Sequence, residues 1–290
     1  MRQIDLTQLK ADKAAGKFSK IGSVATLNNQ LNQIYKTLSD KLEGYTVFYR
    51  GHSDIDFSPI PSIYRENPLT GHKFVNEEEK FCSGIIRECP AEFEKTATAF
   101  DMLVKMQHYE LPTRLLDITE NPLVALYFAC QEPPLTKGNN GEILIYFIHN
   151  EDLTNYSDLQ VNALSSISFI KAELLKNART KSQINNMLHN MKVYTSHLPF
   201  IETINDLNKT LCVLPKKTNP RITRQQGAFF LFGIKNGDKA EMSDIDIEPF
   251  TLTINNDERT NILNHLERYA ITEKFLFPEI DNVAHYIKTH

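Results

Sequence analysis

Three clusters in the sequence bring together side chains that could do chemistry. The first is Phe48-Tyr49-Arg50-Gly51-His52-Ser53. Its arginine and glycine stand at the exit of Tyr45-Thr46-Val47-Phe48-Tyr49, a β-branched and aromatic stretch that reads as a strand. A guanidinium there could grip phosphate or carboxylate in a fork, and the glycine would let backbone approach a ligand closely. The same residues could instead be an internally paired arginine and a turn. The second cluster is Gln107-His108-Tyr109-Glu110-Leu111-Pro112-Thr113-Arg114-Leu115-Leu116-Asp117-Ile118-Thr119. So many hydrogen-bonding groups between apolar stretches imply either an internal network or a site. Arg114 and Asp117 could pair and shape the loop, while Thr113 and Thr119 offer hydroxyls. His108 could donate a proton or be a satisfied core histidine. In the third cluster Arg221, Arg224, Gln225 and Gln226 precede Gly227 and the apolar stretch Ala228–Ile234. Such glutamines can recognise amide or ribose edges, and a solvated basic turn is the plainer alternative.

Other chemistries find no support. There is no G-x-x-x-x-G-K-[ST] phosphate loop, G-x-S-x-G elbow, H-E-x-x-H zinc motif or EF-hand loop. The four cysteines form no C-x-x-C pair and sit among apolar neighbours, as buried thiols do. His52, Asp54 and Asp56 share a polar loop, which reads as solvation, so no metal is predicted. With 32 basic and 36 acidic residues and a net charge of -4, the chain is not a wholesale nucleic-acid or membrane-surface binder. It lacks a signal-peptide core and any run near the ~20 apolar residues that cross a bilayer. A cytoplasmic protein with no membrane partner is expected.

The elements that must position these clusters follow from periodicity. Leu27, Leu31, Ile34 and Leu38 recur at helical spacing before Gly44. Further helices are predicted over Glu77–Phe93, Thr96–Tyr109 and Arg259–Tyr269. Asn121-Pro122 supplies a cap and a first-turn proline for a helix that is apolar nearly all round, hence buried. Gly141–Ile148 reads as a strand buried on both faces, and Ala228–Ile234 and Glu248–Ile254 as further strands. Residues 157–194 are polar and mostly helical, more like an insertion or flap than a core element. Strands scattered among helices at irregular intervals predict an α+β fold, a central mixed or antiparallel sheet flanked by helices. The organisation expected is an N-terminal helical segment, 1–44, and one domain, 45–290, with a helical insertion at about 157–195.

Taken together, the clusters resemble the FRG domain of bacterial and phage proteins. Tyr49-Arg50-Gly51 is similar to its Phe-Arg-Gly motif. Gln107 to Asp117 is similar to its QHYGLPTRLLD signature, with Glu110 at the glycine, and Asn121–Ala129 continues it. Arg221–Phe229 resembles R-x-x-x-QQG-x-F, and Phe277-Pro278-Glu279-Ile280-Asp281 resembles the family's C-terminal close. A second resemblance is to ADP-ribosyltransferases, through the chain order of Arg50, the Thr113–Ala129 unit and Gln225-Gln226. It implies an ADP-ribosyltransferase-like fold with NAD as substrate, in a defence, toxin or stress effector. Ligand-binding roles would fall to Tyr49, Arg50, Gly51, Gln107, Thr113, Arg114, Thr119, Arg221 and Gln225. Asp117 would orient Arg114, and His108, Glu110, Asp117 and Gln226 are the catalytic candidates. Gly227 occupies the place of those enzymes' catalytic glutamate, so an acid would have to come from Glu110 or Asp117. Two alternatives stand beside this: a nucleic-acid-binding or processing protein using Lys216, Lys217, Arg221 and Arg224, and a non-catalytic module that binds a protein target.

Overall fold

The computed structural model describes residues 1–94, 96–131, 139–193, 199–280 and 288. Residues 194 and 195 of the expected insertion and Asp281 of the C-terminal motif lie outside them. In chain order the helices are α1 (Thr7–Ala14), α2 (Val24–Thr37), α3 (Glu78–Glu88), α4 (Pro90–Phe93), α5 (Ala99–His108), α6 (Pro122–Ala129), α7 (Leu159–Ser166), α8 (Ala172–Asn177), α9 (Lys181–His189), α10 (Pro220–Gln225), α11 (Arg259–Glu267) and α12 (Glu273–Leu276). The strands are β1 (Tyr45–His52), β2 (Leu115–Thr119), β3 (Glu142–His149), β4 (Leu153–Asn155), β5 (Thr210–Leu214), β6 (Gly227–Phe232), β7 (Ile234–Lys235), β8 (Asp238–Met242) and β9 (Phe250–Thr253).

Local chemistry sets many of these boundaries. The Ser23 side chain accepts from the Thr26 amide at the start of α2, and Asn121 accepts from the Leu123 amide ahead of Pro122 in α6. The single helix expected over Glu77–Phe93 is broken at Cys89, because the residue before a proline is pushed out of the helical region and Pro90 starts a new turn. Asn236 and Gly237, both at positive φ, close the β7–β8 hairpin.

Seven strands form one mixed sheet in the order β4-β5-β6-β2-β1-β3-β9, with β4–β5 its single parallel pairing. The fold is α+β. Strand alternation divides the core: Leu116 and Ile118 of β2 and Phe230 and Phe232 of β6 enter a cluster on one face. On the other face, Tyr49, Ile143 and Ile145 pack with α2, α6 and α11, while Leu115, Phe229 and Leu231 pack with α5, α7 and α9. The N-terminal segment belongs to the first of these groups through Leu9, Leu27 and Ile34.

Residues 157–193 are not a flap. Val161, Leu164, Ile167 and Leu188 are fully buried against β5, β6 and α5. Their apolar positions are spread over short helices and turns, which hides the periodicity that marks a core element. Among the described residues no helix is long and apolar enough to cross a membrane.

Candidate functional site

Strands β1 and β2 pair at one register position, Tyr49↔Thr119, and then part. A cleft of about 200 Å³ opens there, walled by α5, α6 and α10 and floored by β1, β2 and β6. Alternation along β2 puts Asp117 and Thr119 on the cleft face while their neighbours Leu116 and Ile118 join the opposite cluster. Tyr49, Arg50, Gly51, Gln107, His108, Asp117, Thr119, Arg221 and Gln225 all line it. The structure therefore brings together residues from all three sequence clusters.

Arg50 bridges the parted strands. Its Nε donates to His52 Nε2 at 3.0 Å and its Nη1 to the Asp117 carbonyl at 2.6 Å. Both acceptors are neutral, and among the described residues Nη2 has no hydrogen-bond partner and Arg50 makes no ion pair. His52 in turn faces Glu142 Oε1 through Nδ1 at 3.5 Å. Burial pulls the imidazole pKa below its usual value, against the nearby Glu142 carboxylate and with help from the Arg50 charge. A neutral ring is what an acceptor for Arg50 must be.

Asp117 is the carboxylate of the cleft, exposed at its floor. Its Oδ2 accepts from Gln107 Nε2 at 2.7 Å, and the Gln107 Oε1 accepts from the Thr113 hydroxyl. Thr113 thus fixes which end of the amide is presented to Asp117. Across the cleft, Arg221 has no ion-pair partner among the described residues and lies 4.6 Å over the Phe277 ring. His108 Nδ1 accepts from the Asn219 amide at 3.2 Å, and its Nε2 lies 3.1 Å from the Glu279 carboxylate. Burial and the nearby Arg221 and Lys105 charges hold its pKa below the usual imidazole value, opposed by Glu279. Thr119 donates to the Gln225 carbonyl at 2.5 Å, and the Gln225 amide donates to the Leu276 carbonyl at 3.1 Å, so both tie the cleft walls together. The phenol of Tyr49 is hydrogen-bonded to Tyr35, and burial pushes its pKa up, so it is a neutral wall group.

Four of the expected site residues lie elsewhere. Arg114, just before β2, is 0% exposed and does not meet Asp117, because a spacing of three along an extended chain turns the two side chains to opposite faces. There it forms two hydrogen bonds to Glu78, at 2.8 and 2.6 Å, and the same carboxylate takes Lys239 at 2.7 Å. This is a structural network. Thr113, 1% exposed, acts through Gln107. Glu110 and Gln226 are exposed residues with φ of 62° and 47°, in the left-handed region, where they turn the chain outside the cleft. The close approach at Gly51 is by α6 as well as by any ligand: a Cβ would lie 2.0 Å from the Ala125 carbonyl.

Glu110 stands where the resembled signature has glycine, in a conformation that costs an L-residue roughly 1–2 kcal/mol. Glu110→Gly is expected to raise stability by about 1 kcal/mol, after the extra flexibility glycine gives the unfolded chain. A urea midpoint lower than wild type would contradict the geometry. The sequence reading assigns no role to Asn219 or Glu279. Asn219-Pro220 repeats the Asn-Pro helix start of Asn121-Pro122 and could have been found by it. Nothing local signals that Glu279 reaches His108.

Among known families, residues 45–137 match the model of the FRG domain. No curated protein and no solved structure matches the chain. The matched stretch carries β1, α5, β2 and α6, hence Tyr49, Arg50, Gly51, Gln107, His108 and Asp117, while α10 and β6 complete the cleft from beyond it. A cleft built around the matched segment and closed by later elements of the same sheet is what the chain presents, and it is an FRG domain-containing protein.

Proposed function

We propose that the cleft binds the nicotinamide mononucleotide half of an NAD-type dinucleotide and that Asp117 faces the reacting end. The observation that carries this is the pair of guanidinium groups, Arg50 and Arg221, that line one cleft without a carboxylate ion-pair partner among the described residues. Guanidinium groups favour carboxylate and phosphate partners, and two in one cleft without a carboxylate to neutralise them suit an anion. Val124, Ala125, Phe128 and Phe229 supply an apolar wall beside them, as a ring-bearing ligand requires.

In this reading Asp117, held by Gln107, stabilises the positive charge that develops at the ribose C1′ as the bond to nicotinamide breaks. Nicotinamide leaves with the bonding electron pair, and water or an acceptor nucleophile forms the new bond to C1′ and gives up a proton. Such ADP-ribosyltransferase-like or glycohydrolase chemistry would suit the defence, toxin or stress effector that the resemblance implies.

The test is calorimetric binding of NAD alongside an assay of nicotinamide release. Charge-assisted hydrogen bonds contribute about 1.5–3 kcal/mol, so Arg221→Ala is expected to weaken binding roughly ten- to a hundred-fold. Asp117→Asn should retain binding and lose nicotinamide release. Wild-type protein that binds no NAD, or Arg221→Ala that binds as tightly, overturns the binding reading; release unchanged in Asp117→Asn overturns the chemistry.

A further inference from the structure

The cleft by itself is small for the ligand just proposed. Sites that enclose a whole drug-sized molecule run roughly 300–1,000 Å³, and this one holds about 200 Å³. A second recess of about 400 Å³ adjoins it and shares four of its wall residues, Val104, His108, Asn219 and Ile222. His108 stands at the junction, held from both sides by Asn219 and Glu279.

The second recess is equipped differently from the first. It contains no arginine and is lined by Lys105, Lys216, Tyr109 and the hydroxyls of Thr96 and Thr218. Lys105 is committed to Glu92 at 2.7 Å. Lys216 is exposed and has no ion-pair partner among the described residues. Tyr109 leaves 56% of its surface in solvent, and its edge contact is with the His108 ring, 5.1 Å away. An open aromatic face beside an uncommitted cation suits a base and a phosphate.

We infer that the second recess is a subsite for the adenylate half of a dinucleotide whose other half occupies the Arg50–Arg221 cleft, with the linking phosphates passing His108. This rests on the nucleotide reading above and adds the direction in which the ligand lies. The stacked base would sit against Tyr109, and Lys216 would meet the adenylate phosphate. Ile222 and Val104 form the apolar wall that both halves touch.

Calorimetry with three probes separates the two ideas: nicotinamide mononucleotide, AMP and NAD, each titrated into wild type, Tyr109→Ala, Lys216→Glu and Arg221→Ala. Tyr109→Ala and Lys216→Glu are expected to weaken AMP and NAD about five- to ten-fold and to leave the nicotinamide mononucleotide within two-fold of wild type. Arg221→Ala should do the reverse to the two mononucleotides and also weaken NAD. If NAD binding depends on Arg221 yet ignores both Tyr109 and Lys216, the subsite is refuted and the first cleft's reading stands. The subsite is equally refuted if those two variants weaken the nicotinamide mononucleotide as much as NAD. Wild type that binds none of the three overturns both. Circular dichroism of each variant distinguishes lost binding from lost fold, and both Tyr109 and Lys216 are exposed enough for folding to survive.

Discussion

Glu78→Gln is expected to destabilise the protein by about 3–5 kcal/mol, because it leaves Arg114 and Lys239 as two buried cations with no anion between them. All three groups are almost wholly buried, at 1%, 0% and 2% exposure. Their remaining donors reach the carbonyls of Phe232, Ile167 and Ile170 and the hydroxyl of Ser168, so the network binds α3, β2, β8 and the turn after α7 together. Urea unfolding of the variant should show a lower midpoint. A loss under 1 kcal/mol would mean that the network contributes little. Apolar replacement of all three together should recover much of the loss, since ion triads in cores are often matched by well-packed side chains.

The same network sets an acid limit. Burial alone would raise the Glu78 pKa, but the charges of Arg114 and Lys239 and their hydrogen bonds outweigh it and bring it to about 2 from an ordinary 4.5. The native state therefore binds this proton less readily than the unfolded chain. The stabilisation is complete above 4.5 and is lost as pH falls through about 2. In Glu78→Gln the linkage passes to Lys239 and keeps the same sign. Burial lowers the Lys239 pKa, and without Glu78 to raise it the ammonium gives up its proton more easily in the folded state. The variant's deficit should shrink as pH is raised, which a pH series of melting curves would detect.

Gly51→Ala is expected to cost about 3 kcal/mol and to abolish ligand binding together. The added Cβ would lie 2.0 Å from the Ala125 carbonyl oxygen and 2.6 Å from the Ala129 nitrogen, both backbone atoms of α6. No rotamer can relieve such a contact, so α6 must lift from β1, and inserting methyl groups into packed sites costs about 1–3 kcal/mol or more. Val124, Ala125 and Phe128 of that helix form one wall of the cleft, so the displacement would spoil the site as well. A variant with wild-type melting temperature would show that α6 does not pack here as described.

Much of this architecture was written in local residue order. The Asn121-Pro122 start, the all-round apolar character of α6, the β-branched β1 and the continuous hydrophobicity of β3 are properties of neighbouring residues, and each of those elements stands where it was expected. The sequence also marked residues that share one cleft: Arg50, Gln107, Asp117 and Arg221 stand in dense polar clusters beside apolar elements, and all four line it. The tertiary structure decided what each of them does. Arg114 and Asp117, three residues apart, end in different worlds: one reaches Glu78 and Lys239 from distant segments, the other faces the cleft. Glu110, beside them, is spent on turning the chain. A strand sends alternate side chains to opposite faces, and the partner a charge finds there depends on which remote element packs against that face. Neither is a property of spacing along the chain, so the second polar cluster announced a dense hydrogen-bonding region while its division into cleft, clamp and turn waited for the fold.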